Sequence, residues 1–241
     1  MSAPTVVLVH GAFADAGSWA PVTRELLDRG YRVIVPPNHL RTLSGDAESV
    51  RRVLEAVDGP VVLAGHSYGG AVITVAGVAD NVVGLVYIAA YAPDEGESPS
   101  DMDARYPATD LRDHITALPN PSPGREDGLD LSVAPDAFLP VFAAGLDPRT
   151  AEVLAVSQRS FADAAYTEAA AAAAWKVRPS WALVATADRT VQPAVQRFGY
   201  DRARFTGIVE VDAPHLAMQT HPADVTDLIE TAIHASSADA A

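Results

Sequence analysis

A serine framed by glycines directly after an apolar run is the feature of this sequence that most restricts its fold. Residues 61–64 form the run, and Gly65-His66-Ser67-Tyr68-Gly69-Gly70 follows without a gap. A helical apolar pattern begins at once after this motif. A strand that turns into a helix over so few residues needs glycines so that the backbone can pass. The pattern therefore predicts a serine hydroxyl raised at the carboxyl edge of a sheet, and a glycine-rich turn with a solvent-facing serine is the simpler alternative.

Short β-branched runs alternate with amphipathic stretches along the rest of the chain. The predicted strands are residues 6–9, 33–35, 61–64, 85–89, 181–185 and 208–211. Helical spacing falls between them, for example over residues 46–57 and 192–200. Buried parallel strands that alternate with helices are typical of a doubly wound α/β sheet. We therefore predict an α/β fold with a six-stranded, mostly parallel sheet.

The alternation stops between the fourth and fifth predicted strands. Residues 93–148 hold nine of the chain's 18 prolines and few regular apolar spacings. Beyond them, Asp147 can cap a helix that has Pro148 in its first turn. A second helix is predicted over residues 161–175, because the alanine run at 169–174 is strongly helix-forming. Residues 93–178 are therefore expected to be an insertion in the α/β core.

The length of 241 residues, 49% of them apolar, suits a single domain. We expect one domain over residues 1–241, with a core of residues 1–92 and 179–241. The first ten residues show no secretory signal pattern, and no apolar run reaches the length of a membrane helix. A cytoplasmic location is the resulting expectation.

Charge and cysteine content exclude several classes of protein. Seventeen Lys and Arg stand against 31 Asp and Glu, a net charge of −14, which argues against nucleic-acid or anionic-membrane partners. The chain has no cysteine, so disulfides, thiolate metal sites and cysteine nucleophiles are excluded. Catalysis would have to use oxygen or nitrogen chemistry.

A serine hydroxyl is a poor nucleophile at neutral pH and needs a base that a carboxylate orients. After a turn of this kind the chain order is serine, acid, histidine. His215 directly follows the last predicted strand, whereas His221 precedes the terminal helix and His234 lies near its end. We therefore predict Ser67 as the nucleophile and His215 as the base, with a buried structural histidine as the alternative for His215.

The orienting acid should also follow a strand. Asp188 lies just past the fifth strand and 27 residues before His215, which leaves room for one helix and one strand. Asp94, after the fourth strand, is the alternative acid. Either residue could instead be an ordinary loop aspartate that starts a turn. The spacing favours Asp188.

Two backbone amides are predicted to stabilise an oxyanion. The Tyr68 amide starts the helix after Ser67. The Ala12 amide follows Gly11 in the loop after the first strand. His10 is expected to brace that loop. The candidate residues for an apolar substrate pocket, each of which core packing also explains, are Phe13, Tyr91, Leu139, Phe142 and Leu216.

These residues together resemble the α/β-hydrolase superfamily, and within it the group of plant methylesterases, hydroxynitrile lyases and bacterial esterases. The resemblance covers nearly the whole chain outside the insertion. It implies that Ser67, Asp188 and His215 form a catalytic triad, that Ala12 and Tyr68 supply the amide pair, and that the insertion caps the site. The segments that carry it are Leu8-Val9-His10-Gly11-Ala12 with Trp19, Gly65-His66-Ser67-Tyr68-Gly69-Gly70, Ile88-Ala89-Ala90-Tyr91-Ala92-Pro93-Asp94, Asp188 before Gln196-Arg197-Phe198, and His215-Leu216-Ala217-Met218.

Several departures narrow what the resemblance implies. Only four residues precede Thr5, so the extra N-terminal strands of many superfamily members are not expected. The lyases carry a threonine after the first strand and a lysine near the catalytic histidine, where this chain has Gly11-Ala12 and Leu216-Ala217-Met218. Cyanohydrin cleavage is therefore disfavoured. Serine at position 67 also disfavours epoxide hydrolase and dehalogenase chemistry, which uses an aspartate.

The expected function is hydrolysis of a carboxylic ester or lactone of a small, neutral, largely apolar substrate through an acyl-enzyme. The alternatives are a non-catalytic small-molecule receptor on the same scaffold, and a cofactor-free perhydrolase or carbon–carbon bond lyase that uses the same triad. No metal-ligand spacing or nucleotide motif occurs, so neither a metal nor a cofactor is expected.

The expected partner is the small-molecule ester, and the sequence leaves a homodimer open. Residues 93–148 contain twelve Asp or Glu and three Arg. A negative field over the mouth of the site would disfavour anionic substrates and tolerate neutral or cationic ones.

Overall fold

The computed structural model describes residues 3–121 and 125–238. Its larger sheet has six strands in the order β2-β1-β3-β4-β8-β9, and every neighbouring pair is parallel. Each strand of this sheet lies at a predicted position, so the six-stranded α/β fold is confirmed. The strands described are, in chain order, β1 (Thr5–Val9), β2 (Val33–Ile34), β3 (Val61–His66), β4 (Val82–Ile88), β5 (Ile115–Pro119), β6 (Leu129–Val133), β7 (Phe161–Ala162), β8 (Ser180–Ala185) and β9 (Gly207–Val211).

Helices flank the larger sheet in two groups. Helix α1 packs on α10, which covers β3, β4 and β8, whereas α2 packs on α3, which covers β1 and β3. The helices are α1 (Ala20–Asp28), α2 (Leu43–Glu55), α3 (Tyr68–Ala76), α4 (Pro99–Asp103), α5 (Pro135–Ala137), α6 (Pro148–Ser157), α7 (Asp163–Thr167), α8 (Pro193–Arg202), α9 (Ala217–Thr220) and α10 (Pro222–Ala238). Helix α5 continues into a π turn, Phe138–Phe142, and 3₁₀ turns span Ala16–Trp19, Asp110–His114 and Ala174–Lys176.

The direction of winding reverses beside β1. From β1 the chain moves to β2 on one side, then crosses back to β3 on the other side and continues to β4. In open α/β sheets, ligands bind beyond the carboxyl ends of the strands at such a reversal. The loops after β1 and β3 meet here, since a Cβ placed on Gly11 would lie 2.8 Å from the Cβ of Ser67. The topology therefore places Ser67 where an α/β sheet binds ligands.

Burial follows position in the sheet. Strands β1, β3 and β8 are buried along their whole length, as central parallel strands covered on both faces should be. Edge strand β9 is only partly covered, with Ile208 38% and Val209 40% exposed. The strands that lead into the loops with Ala12, Ser67 and Asp188 thus belong to the buried core of the sheet.

Residues 93–178 contain a second, smaller sheet. Its three strands are antiparallel in the order β5-β6-β7, and helices α4–α7 lie in the same stretch of chain. The Ala162 amide ties this sheet to the core by donating to the Leu40 carbonyl at 2.9 Å. Helix α6 begins at Pro148, and the Asp147 carboxylate accepts from the Thr150 amide at 2.9 Å. The predicted role of Asp147 as the N-cap of this helix is therefore confirmed.

The prediction of a helix over residues 161–175 is wrong. Residues Phe161–Ala162 pair with β6, and α7 ends at Thr167. In the alanine run, the Ala170 amide donates to the Glu97 carbonyl and the Ala170 carbonyl accepts from the Gly96 amide. These long-range backbone pairs replace helical ones, so tertiary contacts override the helix propensity of alanine.

Among the helices the structure describes, none combines the length and the apolar character needed to cross a lipid bilayer.

Candidate active site

Ser67 occupies the turn between β3 and α3 in a strained backbone conformation. Its φ is 53° and its ψ is −124°, a region that residues other than glycine rarely adopt. A Cβ on Gly65 would lie 2.4 Å from the Gly69 carbonyl oxygen, and one on Gly69 would lie 2.4 Å from that of Val9. The two glycines are therefore needed for the turn, and Ser67 lines a cavity above it.

Asp188 and His215 meet although 27 positions separate them in the sequence. Asp188 follows β8, and His215 lies in the loop between β9 and α9. The Nδ1 of His215 donates to Asp188 Oδ2 at 2.7 Å, and both side chains are almost completely buried. The Nε2 of His215 is buried and has no hydrogen-bond partner among the described residues. This nitrogen is consequently available as an acceptor.

Asp188 is held by three donors besides His215. Its Oδ1 accepts from the amides of Thr190 at 2.7 Å and Val191 at 3.0 Å. Its Oδ2 accepts from Gln196 Nε2 at 2.9 Å. Gln196 also donates to the Val191 carbonyl and accepts from the Ala185 amide. This supporting role of Gln196 was not predicted, since nothing in the local sequence shows which way its amide faces.

The ring of His215 packs against two others. The His66 centroid lies 4.6 Å away and the Phe142 centroid 5.2 Å away. The Nε2 of His66 donates to the His215 carbonyl at 2.9 Å. Complete burial, together with the charge that His215 can carry, holds the pKa of His66 well below its usual range. His66 is therefore a neutral, rigid support for the loop that carries His215.

The alternative acid and histidines lie elsewhere. Asp94 forms an ion pair with Lys176, partly exposed to solvent, and is not part of the cavity wall. His221 bonds to the neighbouring Thr220 hydroxyl, and His234 is exposed on α10. Of these three histidines, the one that meets a carboxylate in the described structure is His215, the predicted base.

The two predicted amide donors come from the loops that meet at the turn. Tyr68 is the first residue of α3, where amides have no partner inside the helix. Ala12 lies in the loop after β1, and both residues line the cavity. His10 Nδ1 donates to the Gly11 carbonyl and its Nε2 accepts from the Asn38 amide, both at 2.9 Å. The predicted bracing role of His10 is confirmed, and burial lowers its pKa.

A hydrogen bond anchors the side chain of Tyr68 below the cavity. Its hydroxyl donates to Asp46 Oδ2 at 2.8 Å. Asp46 is buried in α2, and burial raises its pKa, with the bond from Tyr68 acting in the opposite direction. Asp46 thus fixes the side chain of the residue whose backbone amide is predicted to stabilise an oxyanion.

The cavity above Ser67 has a volume of about 750 Å³. Of the predicted pocket residues, Phe13, Tyr91 and Phe142 line it. Leu139 and Leu216 do not: Leu139 is half-buried in the π turn and Leu216 is fully buried beside α9.

Several cavity residues had no signal in the sequence. Phe161, Tyr166 and Asp103 line the cavity and all come from the irregular segment 93–178. Phe161 stands 5.8 Å from Phe13 and 4.8 Å from Tyr68, measured between ring centroids. Pairings of this kind depend on the fold of the smaller sheet, which the local pattern did not predict. No cluster of side chains suited to hold a metal ion occurs in residues 3–121 and 125–238.

Known proteins similar to this chain include several hydrolases. Residues 6–228 match the model of the alpha/beta hydrolase family. A carbendazim hydrolyzing esterase from Nocardioides sp. (strain SG-4G) is 36% identical over 108 residues, which cover 38% of this chain and 44% of that protein. The match therefore spans less than half of that relative's length.

Solved structures share the fold at low sequence identity. The structure of polyneuridine aldehyde esterase has a TM-score of 0.82 at 18% identity, covering 95% of this chain and 99% of that one. A pyrethroid hydrolase from Sphingobium faniae JZ-2 gives 0.73 at 22%, covering 97% and 98%. A methylesterase from Arabidopsis gives 0.77 at 15%, covering 96% and 99%. Since the family model spans nearly the whole chain and the sheet, turn and strand order agree with it, this protein belongs to the alpha/beta hydrolase family.

Proposed function

We propose that this protein is a serine esterase that hydrolyses the carboxylic ester or lactone of a small, largely apolar substrate through an acyl-enzyme. One observation carries the proposal. Ser67 stands on a strained turn that faces the cavity, while the buried His215–Asp188 pair leaves Nε2 of His215 without a partner among the described residues. The names of similar proteins, three of which are esterases and one a pyrethroid hydrolase, support ester bonds as the target.

In the proposed mechanism, Nε2 of His215 takes the proton of the Ser67 hydroxyl as the oxygen attacks the ester carbonyl. The protonated imidazole then gives this proton to the leaving alcohol, and an acyl-Ser67 forms. Water, deprotonated by the same nitrogen, releases the acid and restores Ser67. Asp188 keeps the proton of His215 on Nδ1, so that Nε2 can accept.

The backbone supplies the stabilisation of negative charge. The amides of Ala12 and Tyr68 are assigned to the carbonyl oxygen as it becomes an oxyanion, and each such donor is typically worth about 10²- to 10³-fold in kcat. The short loop after β1 can approach the turn after β3 because Gly11 has no Cβ; a Cβ at this position would lie 2.8 Å from the Cβ of Ser67. Preorganised amides of this kind need no rearrangement during the reaction.

The segment 93–178 is assigned as the cap that closes the cavity. Its residues Phe142, Phe161 and Tyr166 form part of the wall, and Phe13 packs edge-on against both phenylalanines at 5.8 Å. An aromatic wall around a single nucleophile favours an apolar acyl or alcohol group.

The proposal is tested with a panel of p-nitrophenyl and methyl esters, lactones and amides of varied acyl length. Turnover of at least one ester is expected, and Ser67→Ala should reduce it by about 10³-fold or more. Ser44→Ala, at the exposed start of α2, is the matched control and should keep wild-type rates. Unchanged turnover in Ser67→Ala, or saturable ester binding without turnover in the wild type, would contradict the proposal.

A further inference from the structure

Asp103 is the one acidic residue among the described residues that line the cavity. It is the last residue of α4. The hydroxyls of Tyr91 and Tyr166 each donate to its Oδ2 at 2.7 Å. Two tyrosines from separate parts of the chain therefore fix this carboxylate in the wall of the cavity that contains Ser67.

The two tyrosines leave half of the carboxylate unused. Both donate to Oδ2, and Oδ1 receives no hydrogen bond from residues 3–121 or 125–238. An ionised carboxylate offers about four acceptor sites, and the two tyrosine hydroxyls occupy sites on Oδ2 alone. A carboxylate oxygen that lines a cavity without a partner is suited to a donor that arrives with a ligand.

No arginine or lysine forms an ion pair with Asp103 within the part of the chain that the structure describes. The titratable groups around it are Tyr91, Tyr166, Asp188 and His215. Burial raises the pKa of Asp103, whereas the two tyrosine hydroxyls act in the opposite direction. Arg112 also lines the cavity but is exposed to solvent and forms no ion pair with it. A desolvated carboxylate in this setting gains most from a positively polarised N–H group.

Tyr91 connects Asp103 to the nucleophile. Its backbone amide donates to the Ser67 carbonyl at 3.2 Å, and its phenol reaches Asp103 at the other end. One tyrosine side chain therefore spans the distance from the strained turn to the carboxylate. A substrate with the reacting ester at one end of an aromatic ring and a donor at the other has a length comparable to that of this tyrosine.

We propose that Asp103 is a specificity residue that binds an N–H donor of the substrate, preferably a cationic one, through its free Oδ1. The proposal rests on ester hydrolysis at Ser67 and replaces a uniformly apolar substrate by one with an apolar body and a basic end. The reacting carbonyl lies at Ser67 and the basic group at Asp103. The other lining groups near Asp103, Tyr91 and Tyr166, are already committed to it as donors.

The test compares two isosteric esters, methyl 4-(aminomethyl)benzoate and methyl 4-ethylbenzoate, at pH 8. The wild type should show a kcat/KM for the aminomethyl ester about 10- to 100-fold above that for the ethyl ester, a ratio typical of one charge-assisted hydrogen bond. In Asp103→Asn this ratio should fall to within about threefold of one. Asp113→Asn removes the same charge from an exposed position outside the cavity and should keep the wild-type ratio.

Equal rates on the two esters in the wild type would overturn the role of Asp103 while leaving ester hydrolysis intact. The same holds if Asp103→Asn keeps the wild-type ratio. Binding of both esters to Ser67→Ala, measured by calorimetry, tests the role of Asp103 without turnover, so it separates this proposal from ester hydrolysis. Tighter binding of the aminomethyl ester, lost with the further change Asp103→Asn, is the supporting result, and equal binding refutes the proposal. If Asp103→Asn fails to fold, the wild-type and Ser67→Ala comparisons decide alone.

Discussion

Replacing Asp188 by asparagine tests how the site sets the tautomer of His215. Oδ1 of Asp188 accepts from the amides of Thr190 and Val191, so the oxygen of an asparagine must stay there. The opposite orientation would set an NH₂ group against two backbone donors and lose hydrogen bonds worth about 1 kcal/mol or more each. The NH₂ group of the introduced asparagine would therefore take the place of Oδ2 and face His215.

An NH₂ group at that place cannot accept a proton from Nδ1. His215 would respond by carrying its proton on Nε2, which removes the acceptor for the Ser67 hydroxyl. Gln196 cannot correct this by turning its amide, because its carbonyl oxygen accepts from the Ala185 amide and its nitrogen donates to the Val191 carbonyl. The wrong tautomer in a triad of this kind costs about 10⁴-fold in kcat, or about 5 kcal/mol of transition-state stabilisation.

The assay is steady-state hydrolysis of the best ester of the panel by Asp188→Asn and, as control, Asp94→Asn. We expect kcat of Asp188→Asn to fall by about 10³- to 10⁴-fold with KM little changed, because Asp188 does not line the cavity. Asp94 pairs with Lys176 in a solvent-exposed position, so its variant should stay within about twofold of wild type. A kcat for Asp188→Asn within about tenfold of wild type, or greater damage from Asp94→Asn, would refute the reasoning.

Three further predictions concern stability. Gly69→Ala should lower the free energy of unfolding in urea by about 2 kcal/mol or more, because its Cβ would meet the Val9 carbonyl oxygen at 2.4 Å; an unchanged unfolding midpoint would contradict this. Tyr68→Phe should lower the free energy of unfolding by about 1 to 3 kcal/mol, since it leaves Oδ2 of buried Asp46 without its donor. It should keep kcat within about threefold, because the proposed role of Tyr68 is that of its amide; a large loss of kcat with normal stability would assign the hydroxyl a chemical role. The depressed pKa of His66 means that the unfolded chain binds a proton more readily, so stability should be full above the ordinary histidine pKa of about 6.5 and decline below it by about 1.4 kcal/mol per pH unit. His66→Gln should reduce the slope by about this amount in urea titrations between about pH 6.5 and 5 and leave the part that comes from His10, whose pKa burial also lowers. The exposed control His39→Gln should leave the slope unchanged.

The sequence predicted the parts of the molecule whose signals are local. The six strands of the larger sheet are short β-branched runs, and strands buried on both faces form continuous apolar segments in a sequence. The turn at Ser67 could be predicted because its glycines are visible in the sequence. The structure shows why they are needed: a Cβ on either of them would lie 2.4 Å from a backbone oxygen. The pairing of Asp188 with His215 followed from position after strands whose carboxyl ends meet at one edge.

The arrangement of segment 93–178 could not be predicted in the same way. The alanine run that contains Ala170 has a high helix propensity, yet the backbone of Ala170 forms hydrogen bonds with Gly96 and Glu97. The acidic composition of the segment also does not show which of its carboxylates faces the cavity. Several of its carboxylates are matched by arginines from distant parts of the chain, and Asp103 alone among them lines the cavity in the described structure. The matched pairs are Glu97 with Arg202, Asp130 with Arg41 and Asp110 with Arg189.

The most direct test of the central claim is covalent labelling of Ser67. A fluorophosphonate reacts with a serine only when a base and an oxyanion site activate it. Mass spectrometry of the treated wild-type protein should show one adduct, located by peptide mapping on Ser67, and an ester substrate should protect against it. Ser67→Ala should remain unlabelled. An unlabelled wild type, or an adduct that persists in Ser67→Ala, would contradict the assignment of Ser67 as the nucleophile.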